Sequence, residues 1–343
     1  MISTKSGRPW IIPAADPIWL SRHKEEAIDP DVPIIDCQHH LWVLPNQSYL
    51  LPDFLKDIQS GHNIEATVYL EGSMAYRADG PEEMRCIGET EFASHMAEAT
   101  KGKVATGIVA FANLRTTHNF EEVLAAHIQA GKGRLCGIRD ILAWDHDIEL
   151  RDPRIDPEEN AMDMPMFREN MRRLGAKDLV FDSWLYFTQL KKLAEVARDA
   201  PQTRIVVNHV GGPLGGGQYM GRREEVFAIW NQGLRALAAC PNVYIKIGGL
   251  AGRWPGLGFH QLESPPSSKV LADAWRPYVE PVIEIFGADR CMFESNFPVD
   301  AEVCSYVTYW NAFKRLAAQY SPAKRESLFR KTALDVYRLK LPH

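Results

Sequence analysis

Polar side chains capable of acid–base or ligand chemistry recur where short apolar runs end. Gln38 and His40 stand two residues apart, so in a strand they project to one side and His39 to the other. His209 closes the run Ile205-Val206-Val207-Asn208, and the following Gly211-Gly212-Pro213 suits a backbone that turns sharply beside a ligand. Glu294 and Asn296 also share a face, where either can hold a nucleophilic water or a metal ion, or else pin a loop. Asn208 is expected to face outward and tie down a neighbouring loop. Asp300 is expected to cap the helical segment that starts at Ala301.

Arg139 offers a guanidinium that grips a carboxylate bidentately; its alternative is an ion pair with Asp140 or Glu71. Lys246, Glu71 and Asp182 fall within or at the ends of apolar runs, where an unpaired charge is costly, so each needs a partner or a substrate. Trp42, Trp184 and Tyr186 sit beside these ends, as pocket lining or as core. No Gly-x-Ser-x-Gly elbow occurs. Cys37 is expected to face the helix layer and Cys291 to join the core, which leaves water as the nucleophile.

Positioning these groups together requires a scaffold, and the sequence has a rhythm that supplies one. Candidate strands are Ile34–Gln38, Ala66–Glu71, Val104–Phe111, Leu135–Leu142, Leu179–Leu185, Arg204–His209, Val243–Ile247 and Arg290–Glu294. Amphipathic segments lie between them, among them Glu82–Thr100, Phe120–Ala130, Gln189–Ala200, Arg222–Ala239 and Leu271–Phe286. Two more, Ala301–Gln319 and Pro322–Tyr337, follow the last strand. Eight such repeats predict an α/β fold, a (β/α)₈ TIM barrel over residues 33–343, with active groups at the carboxyl ends of the strands. A doubly wound sheet is the alternative, but its glycine-rich first turn is missing from Asp36-Cys37-Gln38-His39-His40. Gly211–Gly217 reads as a mobile loop. Residues 1–32 read as an arm packed over the outside, with a short helix near Trp19–Ala27.

Composition narrows the function classes. The 343 residues carry 39 Lys+Arg against 44 Asp+Glu, and 45% are hydrophobic. That balance excludes general disorder and gives no basic stripe for nucleic acid. The amino-terminal stretch lacks the apolar run of a signal peptide, and no run is long enough to span a membrane. The six cysteines form no Cys-x-x-Cys pair and read as reduced thiols, so a soluble cytoplasmic protein is expected. The expected partner is a small molecule bearing a carboxylate, with homo-oligomer formation left open.

The segments Ile35–Trp42, Gly137-Ile138-Arg139, Asn208–Pro213, Lys246–Leu250 and Phe293–Asp300 together resemble the amidohydrolase-related branch of the amidohydrolase superfamily. The resemblance implies a distorted barrel and hydrolysis, most often of lactones such as pyrone dicarboxylates, with decarboxylases elsewhere in the branch. The chain departs from that pattern twice. Gln38 stands where the family's His-x-His begins, and Asn296 stands where its Ser-Asp-Trp-Pro carries the Asp that serves as base and metal ligand.

The leading expectation is therefore hydrolysis of a small lactone. His40 and His209 stabilise the oxyanion, Arg139 with Lys246 binds substrate beside Gln38, Trp184 and Tyr186, and Glu294 or Asp182 replaces the missing base. The rivals are a metal-dependent lyase, decarboxylase or oxygenase on the same barrel, and a silent binding protein. No tightly bound cofactor is expected. The alternative is one divalent metal such as zinc in a rearranged site of His40, His209, Glu71 and Glu294.

Overall fold

Eight runs rich in β-branched and aliphatic residues lie side by side in chain order, each parallel to its neighbour. The structure, a computed structural model, describes residues 4–341. The strands are β1 (Pro33–His39), β2 (Trp42–Leu44), β3 (Gln47–Tyr49), β4 (Asn63–Leu70), β5 (Gly107–Phe111), β6 (Leu135–Ile141), β7 (Val180–Trp184), β8 (Ile205–Val207), β9 (Val243–Ile247) and β10 (Cys291–Phe293). β2 and β3 form an antiparallel hairpin, and the other eight form the sheet. The carboxyl end of β1 and the segment that follows β10 close the barrel: His40 N donates to Phe297 O at 2.8 Å and Asn296 N to Gln38 O at 3.0 Å. This is the expected (β/α)₈ architecture.

Side-chain alternation sorts two cores. Ile35, Cys37, Val68, Val109, Val180, Val206 and Met292 fill the interior, plugged by Val336 and Tyr337 of the carboxyl-terminal helix Thr332–Tyr337. Ile34, Ile64, Ile108, Ile138, Phe181 and Ile205 face the helices. Helix Leu190–Asp199 buries Leu190, Leu193, Ala194, Val196 and Ala197, the stripe its periodicity predicts. Each large aliphatic side chain buried this way contributes about 1.5–3 kcal/mol.

Several boundaries move. β5 starts at Gly107 rather than Val104, and β8 stops at Val207 because the chain turns into a left-handed conformation at His209 and Val210. The helix Pro165–Ala176 and the hairpin were not anticipated. Cys37 faces the interior instead of the helices, in step with Ile35 two residues before it, and the register shift between Asp36 and His39 lets Gln38 face inward as well. The arm's helix is only Pro17–Leu20, started by Asp16, whose carboxylate accepts from Ile18 N and Trp19 N. Residues 16–28 run along the side of the barrel, where Trp19 donates to Leu262 O and Glu25 accepts from Ser268 N. Residues 6–13, contrary to expectation, cross the rim of the barrel mouth. Ser6 N donates to Pro153 O, and Ile12 O accepts from Asn46 and Gln47.

Candidate active site

The register shift in β1 turns Gln38 and His40 into the mouth and sends His39 the other way. His39 is fully buried, stacked 4.0 Å from Phe54 and paired with Thr67 Oγ1 at 2.9 Å, a structural role. Gln38 meets three elements. Lys246 Nζ donates to its Oε1 at 3.0 Å. Its Nε2 lies 3.2 Å from His209 Nε2 and donates to Asn296 Oδ1 at 3.2 Å. An ammonium has no lone pair, so the Gln38 oxygen must face Lys246 and its NH₂ must face the other two.

His209 is held from behind by Glu294. Glu294 Oε1 accepts from His209 Nδ1 at 2.6 Å and from the His209 backbone N at 3.2 Å. Two glycines admit this packing. A Cβ on Gly248 would stand 2.3 Å from Glu294 Cγ, and one on Gly249, whose φ is +67°, would stand 2.6 Å from His209 Nδ1. With Nδ1–H donated to the carboxylate, His209 presents a lone pair at Nε2. His40 is arranged the same way. Its Nδ1 donates to Leu70 O at 2.9 Å, and its ring stacks on Trp42 at 5.4 Å. Burial, with Arg139 adding to it, holds the His40 pKa well below the usual imidazole value, so Nε2 is an acceptor. Both rings therefore offer lone pairs, which does not suit the oxyanion-donor role expected for them.

Arg139 spends Nε on Glu71 Oε1 at 2.8 Å and Nη2 on Glu71 O at 2.6 Å, leaving Nη1 without a hydrogen bond among the described residues. Asp182 lies beneath the site and is saturated. Lys246 donates to it at 2.6 Å, Asn208 at 2.8 Å and Tyr337 at 2.8 Å. Asp182 is thus shut away from a base's position, Lys246 orients Gln38 rather than reaching the mouth, and Asn208 points to Asp182 rather than outward. Asp300 does not cap a helix. It accepts from Asn296 Nδ2 at 2.6 Å, Ala251 N at 2.6 Å and Gly252 N at 3.1 Å. The helix Tyr306–Ala317 is started by Ser305 instead. Burial pushes the Asp300 carboxyl up to about 8 against those three donors.

The wall over His209 is aromatic. Trp184, half-buried, stands edge-on to the imidazole at 4.7 Å, with Tyr186 and Trp254 at 5.4 and 5.6 Å from Trp184. The Tyr186 hydroxyl is turned to Leu150 O. Trp254 had no signal in the sequence. Its carbonyl accepts from Gly215 N at 3.0 Å and Gly216 N at 3.3 Å, so the glycine loop is tied down where it was expected to move. Arg154, also missed, sits among Asp152, Glu71 and the arm.

The residues do not fit a divalent metal. Glu71 Oε1 is taken by Arg139 and Glu294 Oε1 by His209, the second oxygen of each carboxylate is buried without a partner, and no group of three His, Cys, Asp or Glu among the described residues could hold an ion. Gln38 aims amide hydrogens, not lone pairs, at the space between His209 and Asn296. No helix among the described residues is long and apolar enough to cross a membrane, and the six cysteines are buried and free.

The family model described as Amidohydrolase matches residues 35–339. The chain is 30% identical over 335 residues to the uncharacterized protein y4mH of Sinorhizobium fredii, covering 90% of this chain and 99% of that one. It is 30% identical over 189 residues to an L-fucono-1,5-lactonase of Burkholderia ambifaria (54% of this chain, 59% of the relative). An L-fucono-1,5-lactonase of Burkholderia multivorans is 25% identical over 306 residues (88% and 91%). An amidohydrolase from Burkholderia multivorans, solved with bound HEPES, superposes with a TM-score of 0.68 at 22% identity, covering 90% of this chain and 99% of that one. The same enzyme has been solved with bound zinc and superposes with a TM-score of 0.67 at 22% identity over the same shares. With the strand ends, the barrel closure and the matched span in agreement, the chain belongs to the amidohydrolase family.

Proposed function

We propose that this chain hydrolyses a small lactone, with His209 as general base and Glu294 as the group that orients it. The observation that carries the reading is the 2.6 Å Glu294–His209 contact, which fixes the tautomer and leaves Nε2 bare at the mouth. A carboxylate behind an imidazole keeps the ring in place and stabilises the imidazolium that forms. The names of the lactonase relatives support the same substrate class.

In this mechanism a water at His209 Nε2 displaces the 3.2 Å contact from Gln38. Its oxygen bonds to the lactone carbonyl carbon while its proton passes to Nε2. The freed Gln38 N–H and Arg139 Nη1 are the donors for the carbonyl oxygen as it gains charge. The ring C–O bond then breaks, the proton on His209 goes to the departing alkoxide, and a hydroxy acid leaves. His40 Nε2, held neutral, accepts a hydrogen bond from a hydroxyl or water on the substrate side. No step uses a metal ion, because the donor set opposes one. Arg139 also receives a carboxylate where the substrate bears one.

A lactone panel read with a pH indicator tests this. Turnover that disappears in His209→Ala supports it. Carbon dioxide release or oxygen consumption in place of acid production would instead identify a lyase or oxygenase.

A further inference from the structure

A cavity of about 1140 Å³ opens beside Arg154, lined among others by Thr4 and Lys5 of the arm, Ser73 and Met74 of the loop after β4, and Phe111. Arg154 is almost fully buried at its edge. Nε and Nη2 are taken by Asp152 at 3.0 and 2.6 Å. Nη1 lies 3.4 Å from Ser73 Oγ and 4.0 Å from Glu71 Oε2. Glu71 Oε2 is itself buried without a hydrogen-bond partner. A donor and an acceptor 4.0 Å apart are too far to bond well to each other, and close enough for one hydroxyl oxygen to bond both.

The flat face of the Arg154 guanidinium is covered by Trp10 of the arm, 4.0 Å from the ring centroid. Trp10 in turn packs edge-on to Trp42 at 5.7 Å, and Trp42 stacks on His40. Hydrogen bonds anchor the arm on both sides of Trp10: Ser6 N to Pro153 O at 3.3 Å, Arg8 Nη2 to Arg151 O at 3.1 Å, and Asn46 Nδ2 to Ile12 O at 2.7 Å. Cation–π contact with a desolvated guanidinium stabilises one orientation of the fork.

We propose that Trp10 is a specificity-determining residue: it holds Arg154 so that Nη1 and Glu71 Oε2 together receive a substrate hydroxyl remote from the scissile carbonyl. The inference rests on the hydrolytic reading of the site, and deepens it by naming what selects the substrate. A site built to bond a hydroxyl discriminates against the analogue that lacks it, because the buried polar atoms then stay unpaired. The arm, outside the barrel repeats, thereby becomes part of the substrate site.

The test compares a polyhydroxylated aldonolactone with its deoxy analogues of the same ring size. In Trp10→Ala, KM for the hydroxylated lactone is expected to rise roughly tenfold, with kcat changing less than about threefold. KM for the analogue lacking the recognised hydroxyl should not move. Trp10→Phe, which keeps a ring under the guanidinium, should restore KM, and Arg154→Lys should behave as Trp10→Ala does. Equal KM changes for both substrates, no change for either, or no rescue by Trp10→Phe would overturn the proposal. If the wild type hydrolyses no lactone, the hydrolytic reading has failed, and the arm is judged by thermal-shift titration with D-gluconate. Binding weakened roughly tenfold in Trp10→Ala sustains the role of Trp10, whereas equal affinity or no binding to the wild type overturns it.

Discussion

The ammonium of Lys246 donates to the side-chain oxygen of Gln38 at 3.0 Å, and that bond decides which end of the amide meets His209. Lys246 is itself fixed by Asp182 at 2.6 Å, so reversing the amide would set an NH₂ group against a buried ammonium. The chain thus directs N–H groups into the space where a bound cation would need lone pairs.

Metal content follows from that arrangement. Protein purified without tags or chelators is expected to hold substoichiometric metal by elemental analysis, and its activity to survive prolonged chelation. Near-stoichiometric metal that disappears in Glu294→Gln would reverse this reading. The double variant Gln38→His/Asn296→Asp supplies two ligands beside His40 and His209, and is expected to take up zinc where the wild type does not.

The barrel was legible because its signal is periodic. Runs such as Ile205-Val206-Val207 alternate with stripes such as that of Leu190–Asp199, and neither pattern depends on distant contacts. Within the inward set, Arg139 and Glu294 were legible for the same reason, since Arg139 pairs beside Asp182 and Glu294 keeps the parity of Met292. Parity failed where the backbone breaks it. The irregular pairing of β1 lets Gln38 face inward next to Cys37, and the left-handed turn at His209 brings its ring to the mouth beside Asn208, which keeps the inward parity of Val206 and meets Asp182. Trp10, Arg154 and Trp254 were invisible because each reaches the mouth from an arm or loop, where no repeat period specifies direction.

Removing the carboxylate behind His209 tests the base assignment. Glu294→Gln preserves shape but can turn its NH₂ towards Nδ1 and reverse the tautomer. Its kcat is expected to fall by about 10²–10⁴ while KM changes little, because general-base catalysis contributes on that order. Steady-state kinetics across the lactone panel measures this. An undiminished kcat would transfer the base role to another group.

The Lys246–Asp182 pair predicts a stability asymmetry. Both side chains are fully buried, so Lys246→Met leaves the Asp182 charge facing only Asn208 and Tyr337. Breaking such a pair costs about 3–5 kcal/mol, whereas replacing both members with apolar groups is often nearly neutral. Urea unfolding of Lys246→Met, Asp182→Leu and the double variant should show both singles well below the double. Additive losses would contradict a coupled pair.

Stability should also fall as pH rises from about 6.5 to 8. Burial pushes the carboxyls of Glu89 and Asp300 up to about 7 and about 8. Their unfolded values lie near 4, so between those limits the folded state holds protons that the unfolded state has released. Stability then declines with rising pH, by at most about 1.4 kcal/mol per unit for each group. Burial acts oppositely on His39, His62 and His127, held down to about 3, 4 and 4. His40, also lowered by burial, acts the same way, and the contribution of all four builds as pH rises through the unfolded value near 6.5 and levels off about one unit above it. Asp36 and Asp57, raised to about 6, are largely ionised by then. The decline from 6.5 to 8 is therefore the net of Glu89 and Asp300 against these histidines and Lys314, which burial lowers to about 8, and the comparison with Asp300→Asn isolates the Asp300 part. Unfolding free energies measured across it should decline in the wild type and decline less steeply in Asp300→Asn. Equal slopes would mean that the donors Asn296, Ala251 and Gly252 keep Asp300 ionised throughout, and that burial does not prevail over them.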